Sequence, residues 1–382
     1  MSSSLLTAPY FATAIQQLAE TRPAQTTQTI YSSQGIKLVE RGVAMDSGLY
    51  KRLQRHRLSL PLDELLMAQD AVSGKSLREA AELVIERHVF LSFMLDKPAS
   101  RALALESLEA LRLPPPIAFQ LSVMRDVHPT LFSFSITSAL VAGWLAATSA
   151  DALRYDSAML STGGLLQDIG MMHLDPALLQ SGGPLTAKQR RQLHSHPLIA
   201  VVLLERHQEY PREFIRGVRE HHETMDGTGY PSGHRGEKIS HWGKVLGLSQ
   251  VVSAFLRPGR GSSTQRLSVL LRTTRQYDPA LSGRVLALAM RVIDEGVAPR
   301  PTETADPDPV QDPVPHLIAM DQLLTEWPVA LGPDAALDDS CRAGMTMVSE
   351  QCRQMRRILV EAGASVEQLA LLGVSQGDED LN

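Results

Sequence analysis

The stretch from His221 to Gly236, HHETMDGTGYPSGHRG, constrains the fold more than any other part of the chain. Neighbouring residues on an α-helix diverge by about 100°. His221 and His222 can therefore serve one metal ion only where a helix is ending, and the residues that follow end helices. Asp226-Gly227 and Gly229-Tyr230-Pro231 supply a side chain that bonds its own backbone, two residues free at positive φ, and one with a fixed φ and no N–H donor. A loop carrying His234 and Arg235 then runs to Gly236. A helix must deliver the imidazoles, and an irregular loop must leave from the same point.

Helical pattern surrounds this loop. From 117 to 297 the apolar spacing predicts helices over 117–125, 130–148, 151–168, 186–207, 211–223, 240–256, 263–273 and 279–295. No long period-two alternation interrupts them, so the span reads as an all-α bundle. Residues 8–22 read as a short amphipathic helix and 23–29 as polar and turn-like. From 30 to 56, the alternation in IKLVE and the breaks at Gly35 and Gly42 predict two short strands in a hairpin, with Asp46 or Ser47 capping a helix that reaches His56. Residues 76–112 are helical with a break at Lys97-Pro98, and Pro114-Pro115-Pro116 closes that run. The expected organisation is an N-terminal segment (1–112) with a small β-containing unit, a helical domain (117–297), a Pro-rich acidic linker (298–315) and a C-terminal helical segment (316–382) whose apolar stripe serves as core or as the face of a homodimer. The fold class is mainly α.

A length of 382 residues is long for one core, and a hydrophobic share of 43% with 21% charged residues is that of an ordinary globular protein. A net charge of −5 and a pI near 6.2 argue against a basic duplex-binding face, so polymeric nucleic acid is not an expected partner. Cys341 and Cys352 make no disulfide framework and suit a reducing cytoplasm. The opening residues lack the pattern of a signal peptide. Residues 131–147, LFSFSITSALVAGWLAA, are uncharged but fall short of the roughly 20 apolar residues of a membrane span. Ser133, Ser135, Thr137 and Ser138 dilute them further, and a buried helix is expected rather than a membrane segment.

The central stretch resembles, almost letter for letter, the HHExxDGxGYP signature of the HD-GYP family of phosphohydrolases, whose usual substrate is cyclic di-GMP. The resemblance spreads outward over roughly 117–297. LLQDIG at 165–170 stands where the family has LLHDIG, and His196-Pro197 stands at its HP. PLT at 184–186, GEKI at 236–239 and an Arg257-Pro258-Gly259-Arg260 run similar to the family's RPYR complete it. The resemblance implies an HD-type helical bundle. It also implies that one metal ion is held by the positions filled here by Asp168, His196, His221 and His222, a carboxylate and three imidazoles suited to Fe, Mn or Zn.

The family's second metal shares the bridging Asp, here Asp168, and adds the HD-pair His, an earlier His and a late Asp. Those three places hold Gln167, Phe132 (with Ser133 at the family's following Ser) and Gln250. Met171 replaces a lysine that meets the substrate phosphate. Two ions together activate water and compensate charge on the phosphoryl oxygens; losing one disfavours turnover. The resemblance implies that the binding side is better kept: if Arg257 and Arg260 match the two basic residues of RPYR, with a gap of two residues before them, they supply guanidinium groups for ligand phosphates, and Tyr230 and Pro231 keep the loop that in the family shapes the pocket and meets diguanylate cyclase domains.

Three functions stay open on this reading: a cyclic di-GMP sensor or partner-docking protein with little or no hydrolysis, a working phosphodiesterase, and a structural adaptor. His173, His194, His207 and His234 read as surface histidines. His128 lies one helical turn before Phe132, where it either reaches a metal or, beside Pro129, precedes a helix start.

Overall fold

A computed structural model of the chain describes residues 9–53, 55–148, 157–180, 186–256 and 263–295. All belong to one compact unit that extends to Thr302. The linker expected at 298–315 and the C-terminal helices expected over 316–382 lie outside the described residues.

The unit is mainly helical. It opens with α1 (Pro9–Thr21), whose Phe11, Ala14, Ile15 and Leu18 recur at i, i+3, i+4 and i+7 and are all buried. Five short strands follow in two sheets. β1 (Ala24–Thr26) is the centre of a three-stranded antiparallel sheet, flanked by β4 (Ala44–Met45) and β5 (Leu66–Met67). β2 (Ile30–Tyr31) and β3 (Lys37–Val39) form a separate hairpin at the place that IKLVE indicates. β1 corrects the reading of 23–29 as a turn: a strand of two or three residues is too short to display alternation, and its register comes from partners far along the chain. α2 (Ser47–Leu53) is capped by Asp46, whose Oδ1 accepts the Leu49 N–H at 2.6 Å, and α3 (Leu62–Leu65) leads into β5.

Prolines and hydroxyls then set the helix starts. α4 (Gly74–Arg87) begins in a capping box between Ser73 and Ser76. α5 (Val89–Met94) follows after a break at His88, and α6 (Pro98–Glu109) opens at Pro98. α7 (Pro115–Val127) and α8 (Pro129–Ala147) each carry Pro at the first turn, where its missing N–H has no helical partner anyway. α8 is the one helix among the described residues long and apolar enough to cross a membrane, and 72% of its apolar window is buried inside the protein. It packs along α9 (Ser157–Leu166), with Gly164 against the Ser138 carbonyl.

A 3-10 turn, Ile169–His173, and a short α10 (Ala177–Gln180) lead to α11 (Ala187–Leu193), which Thr186 and Gln189 cap reciprocally. α12 (His196–Leu204) is separated from α11 at Ser195, so the helix expected over 186–207 is two helices. α13 (Arg212–Glu220) ends where the paired histidines begin. α14 (His241–Phe255), α15 (Ser263–Thr273) and α16 (Pro279–Asp294) close the unit. α14 lies against both α8 and α13, so the helix before the histidine loop and the helix after it share one core.

Candidate metal and ligand site

Asp168, His196, His221 and His222 come together from three places in the chain. Asp168 follows α9 and starts the 3-10 turn; His196 is the first residue of α12; His221 and His222 follow the end of α13. One ligand atom from each of the four lies within 4.8 Å of the others. The turn and α12 meet closely because Gly170 has no side chain: a Cβ there would overlap the His196 carbonyl oxygen and fall 2.9 Å from the Ala200 nitrogen.

Hydrogen bonds fix the tautomers. His196 Nδ1 lies 2.7 Å from the Leu193 carbonyl oxygen and His221 Nδ1 lies 2.6 Å from that of Val218. A carbonyl oxygen only accepts, so each Nδ1 carries the proton and each Nε2 presents a lone pair. Those two Nε2 atoms face each other at 3.2 Å and lie 3.3 Å (His196) and 3.8 Å (His221) from Asp168 Oδ1. The second oxygen, Asp168 Oδ2, is buried with no hydrogen-bond partner. Lone pairs that converge without a proton between them repel unless a cation joins them, so the donor set fits a divalent ion, with backbone carbonyls as its outer support. Burial, with His221 and His196 nearby, holds His222 well below an ordinary imidazole, ready as a neutral donor.

The loop after the histidines is held from below. Glu223 is buried, and its two oxygens accept the N–H groups of Ser232 (2.7 Å) and His234 (2.9 Å). Glu220 likewise accepts the Ser240 N–H at 2.7 Å and the Arg216 Nε–H at 2.9 Å. Gly227 sits at φ +82° in a turn that its N–H closes on the Thr224 carbonyl oxygen, but Gly229 is required for a different reason: a Cβ there would lie 2.6 Å from Glu223 Cα. The Tyr230 ring is sandwiched between His222 (centroids 4.5 Å apart) and His194 (3.8 Å), and burial pushes its phenol up, so it stays neutral. The bond to Pro231 is cis.

Residues 126–281 match the family described as HD domain. The match covers about two fifths of the chain. The chain's relatives include a cyclic di-GMP phosphodiesterase of Vibrio cholerae, 27% identical over 140 residues that cover 34% of this chain and 28% of the relative. A 3'3'-cGAMP-specific phosphodiesterase 3 of the same organism is 28% identical over 121 residues, covering 32% of this chain and 25% of the relative. The chain thus spans about a quarter of the length of these curated relatives. Among solved structures, an HDG"Y"P protein from Bdellovibrio bacteriovorus aligns with a TM-score of 0.39 at 14% identity, over 72% of this chain and 98% of that one.

Within the HD domain, Gln167 is fully buried and donates its Nε2–H to Gln250 Oε1 at 2.8 Å. Phe132 is buried in the hydrophobic core, and Met171 packs partly exposed against it. Arg257 and Arg260 lie outside the described residues. His128 ends α7 and precedes Pro129 at the start of α8; it takes no part in the four-residue cluster. His173 is not a surface residue: it is 5% exposed, stacked on Phe11 at 4.7 Å, and burial lowers it to about 4. Sequence reasoning gives no role to Glu223, although it is the third letter of the HHE motif, nor to His194, whose partner Tyr230 is 36 positions away. Only the folded loop reveals either.

Proposed function

We propose that this HD domain holds one divalent ion, iron, manganese or zinc, on Asp168, His196, His221 and His222 and works in cyclic di-GMP signalling by binding the dinucleotide or a partner protein, with little or no hydrolysis. The observation that carries this reading is the hydrogen bond between Gln167 and Gln250. These residues stand at two of the ligand positions that the HD-GYP pattern reserves for a second ion. One hydrogen bond joins the two amides, and neither brings negative charge, so a second cation finds only weak, neutral oxygen donors. Phe132, at a third such position, offers none. Met171 leaves the site without the lysine charge that would meet a phosphate.

A bound ion would supply Lewis-acid polarisation of a phosphoryl oxygen. The chain's own groups do the rest: His196 and His221 keep their Nδ1 protons on backbone carbonyls, Glu223 anchors the loop, and Tyr230 covers one face of His222. The substrates named for the relatives, cyclic di-GMP and 3'3'-cGAMP, support a cyclic dinucleotide as ligand. Arg257 and Arg260 are proposed to meet its phosphates, and the Tyr230-Pro231 loop to meet the ligand or a diguanylate cyclase domain.

Elemental analysis of the purified chain tests this first. About one ion per chain is expected; two well-occupied ions would favour the alternative, a working phosphodiesterase, and none would favour a structural adaptor. An assay with cyclic di-GMP and added Mn²⁺ or Fe²⁺ comes second. Product formation that His221→Ala abolishes would overturn the proposal.

A further inference from the structure

Buried polar side chains connect the candidate metal site to the N-terminal segment. The turn that starts at Asp168 ends at His173, whose Nε2 lies 3.3 Å from Gln120 Oε1 in α7. Gln120 donates its Nε2–H to Asp63 Oδ2 of α3 at 2.9 Å. Arg206 approaches the same carboxylate oxygen at 3.7 Å and Glu64 at 3.5 Å. Arg206 lies just beyond the end of α12, and the first residue of α12 is His196. The two elements that present Asp168 and His196 are thus tied at their far ends to one carboxylate of the N-terminal segment.

Asp63 is 6% exposed, Gln120 is fully buried and His173 is 5% exposed. Polar groups withdrawn from water cost stability unless paired, and apolar side chains would fill such space more cheaply. What the polar choice adds is direction: Gln120 faces His173 with its Oε1 and donates its Nε2–H to Asp63, so the string has one arrangement. The near ends are coupled as well, since Gly170 sets the turn against α12 with no room between them. Phe11 of α1 stacks on His173, so the N-terminal segment holds that ring by a second contact.

We propose that Asp63 is a positioning residue through which the N-terminal segment sets the separation of Asp168 and His196, and with it the affinity of the site for a divalent ion. This rests on the metal reading above. Anything that binds the N-terminal segment and shifts α3 changes metal affinity, and metal binding changes the segment's affinity by the same factor.

The test is Mn²⁺ titration calorimetry on the full chain, at a temperature where every variant is folded by circular dichroism. Asp63→Ala should weaken Mn²⁺ binding about tenfold, within the usual range of coupling between sites. Asp63→Asn keeps an oxygen to accept the Gln120 bond and should stay within about twofold of the parent chain, by the same coupling. Arg206→Gln, at a partly exposed site, should cost about threefold because it cuts only the α12 tie, and it decides the matter if Asp63→Ala does not fold. A merely structural Asp63 would lower the melting temperature and leave Mn²⁺ affinity unchanged; equal affinities in the folded variants overturn the inference. A parent chain that binds no Mn²⁺ overturns the metal reading, and the inference with it.

Discussion

Gly170→Ala is the most revealing single change, because it alters one contact and leaves every ligand in place. The added Cβ would overlap the His196 carbonyl oxygen and stand 3.0 Å from its carbonyl carbon and 2.9 Å from the Ala200 nitrogen. Carbon atoms in packed interiors settle at about 3.5–4.0 Å, so the turn and α12 must part by at least roughly 0.5 Å. All three obstructing atoms are backbone, and none can rotate away. Overpacking of this kind costs about 1–3 kcal/mol, which for a unit of this size is a fall in melting temperature of roughly 2–10 °C. The same displacement widens the 3.3 Å gap between His196 Nε2 and Asp168 Oδ1, and metal sites tolerate only about 0.2 Å in ligand distance. Metal affinity should therefore drop together with stability. Gly283→Ala is the control: Gly283 lies in α16, an added methyl there meets nothing within 4 Å, and the variant should gain about 0.5–1 kcal/mol from helix propensity without touching the site. Urea unfolding and Mn²⁺ titration of both variants check this. If Gly170→Ala matched the parent chain in stability and affinity, the close approach would not be what holds Asp168 beside His196.

Burial holds His173 at about 4, against 6.5 in an unfolded chain. Since the unfolded chain takes up the proton first, stability should fall as pH drops from about 6.5 to about 4, by up to roughly 3 kcal/mol. Urea unfolding at a series of pH values measures it, and His173→Gln should flatten that limb of the profile. Glu223→Ala removes the acceptor for both the Ser232 and the His234 N–H; those amides should exchange with solvent roughly a hundredfold faster, the equivalent of about 3 kcal/mol in charge-assisted bonds, and unchanged protection would show the loop to be held by other groups. Restoring Phe132→His, Gln167→His and Gln250→Asp together should raise the metal content from about one to about two ions per chain by elemental analysis, as a donor set of imidazole and carboxylate requires. No rise would mean that other substitutions have closed the pocket.

The parts of the fold legible in the sequence are those whose cause is local. Helix starts at Pro98, Pro115, Pro129 and Pro279 follow from a residue that needs no N–H partner. The hairpin of β2 and β3 follows from an alternating run beside glycines. β1 and β5 are not legible, because a strand of two or three residues is defined by the partner it meets. The same division runs through the site. His221 and His222 announce themselves by adjacency at a helix end, whereas the burial of His173 depends on Phe11 and Gln120, which are 162 and 53 positions away in sequence. A lone histidine near a turn gives no sign of such neighbours. Glu223 belongs to the most conspicuous motif in the chain, but its oxygens find their donors only after the loop has closed on itself.

On the proposed reading, Gln167 and Gln250 are one change rather than two. A carboxylate at the half-buried position 250 would stand without a cation opposite, and a lone imidazole at 167 would lack its metal. Replacing both by amides joined by one hydrogen bond removes a cation together with its counter-charge and leaves the buried Gln167 Oε1 oxygen without a partner. On the proposed reading, what stays is one carboxylate, three neutral imidazoles and one divalent ion, a net charge of about +1 in a largely buried setting. That is enough to attract a phosphodiester anion in its ground state. Hydrolysis asks for more, since charge accumulates on the phosphoryl oxygens as the bond breaks, and rate comes only from interactions stronger in the transition state than in the bound substrate. On that reading, a site without the second ion and without a lysine at 171 gives up that excess first and the ground-state attraction last.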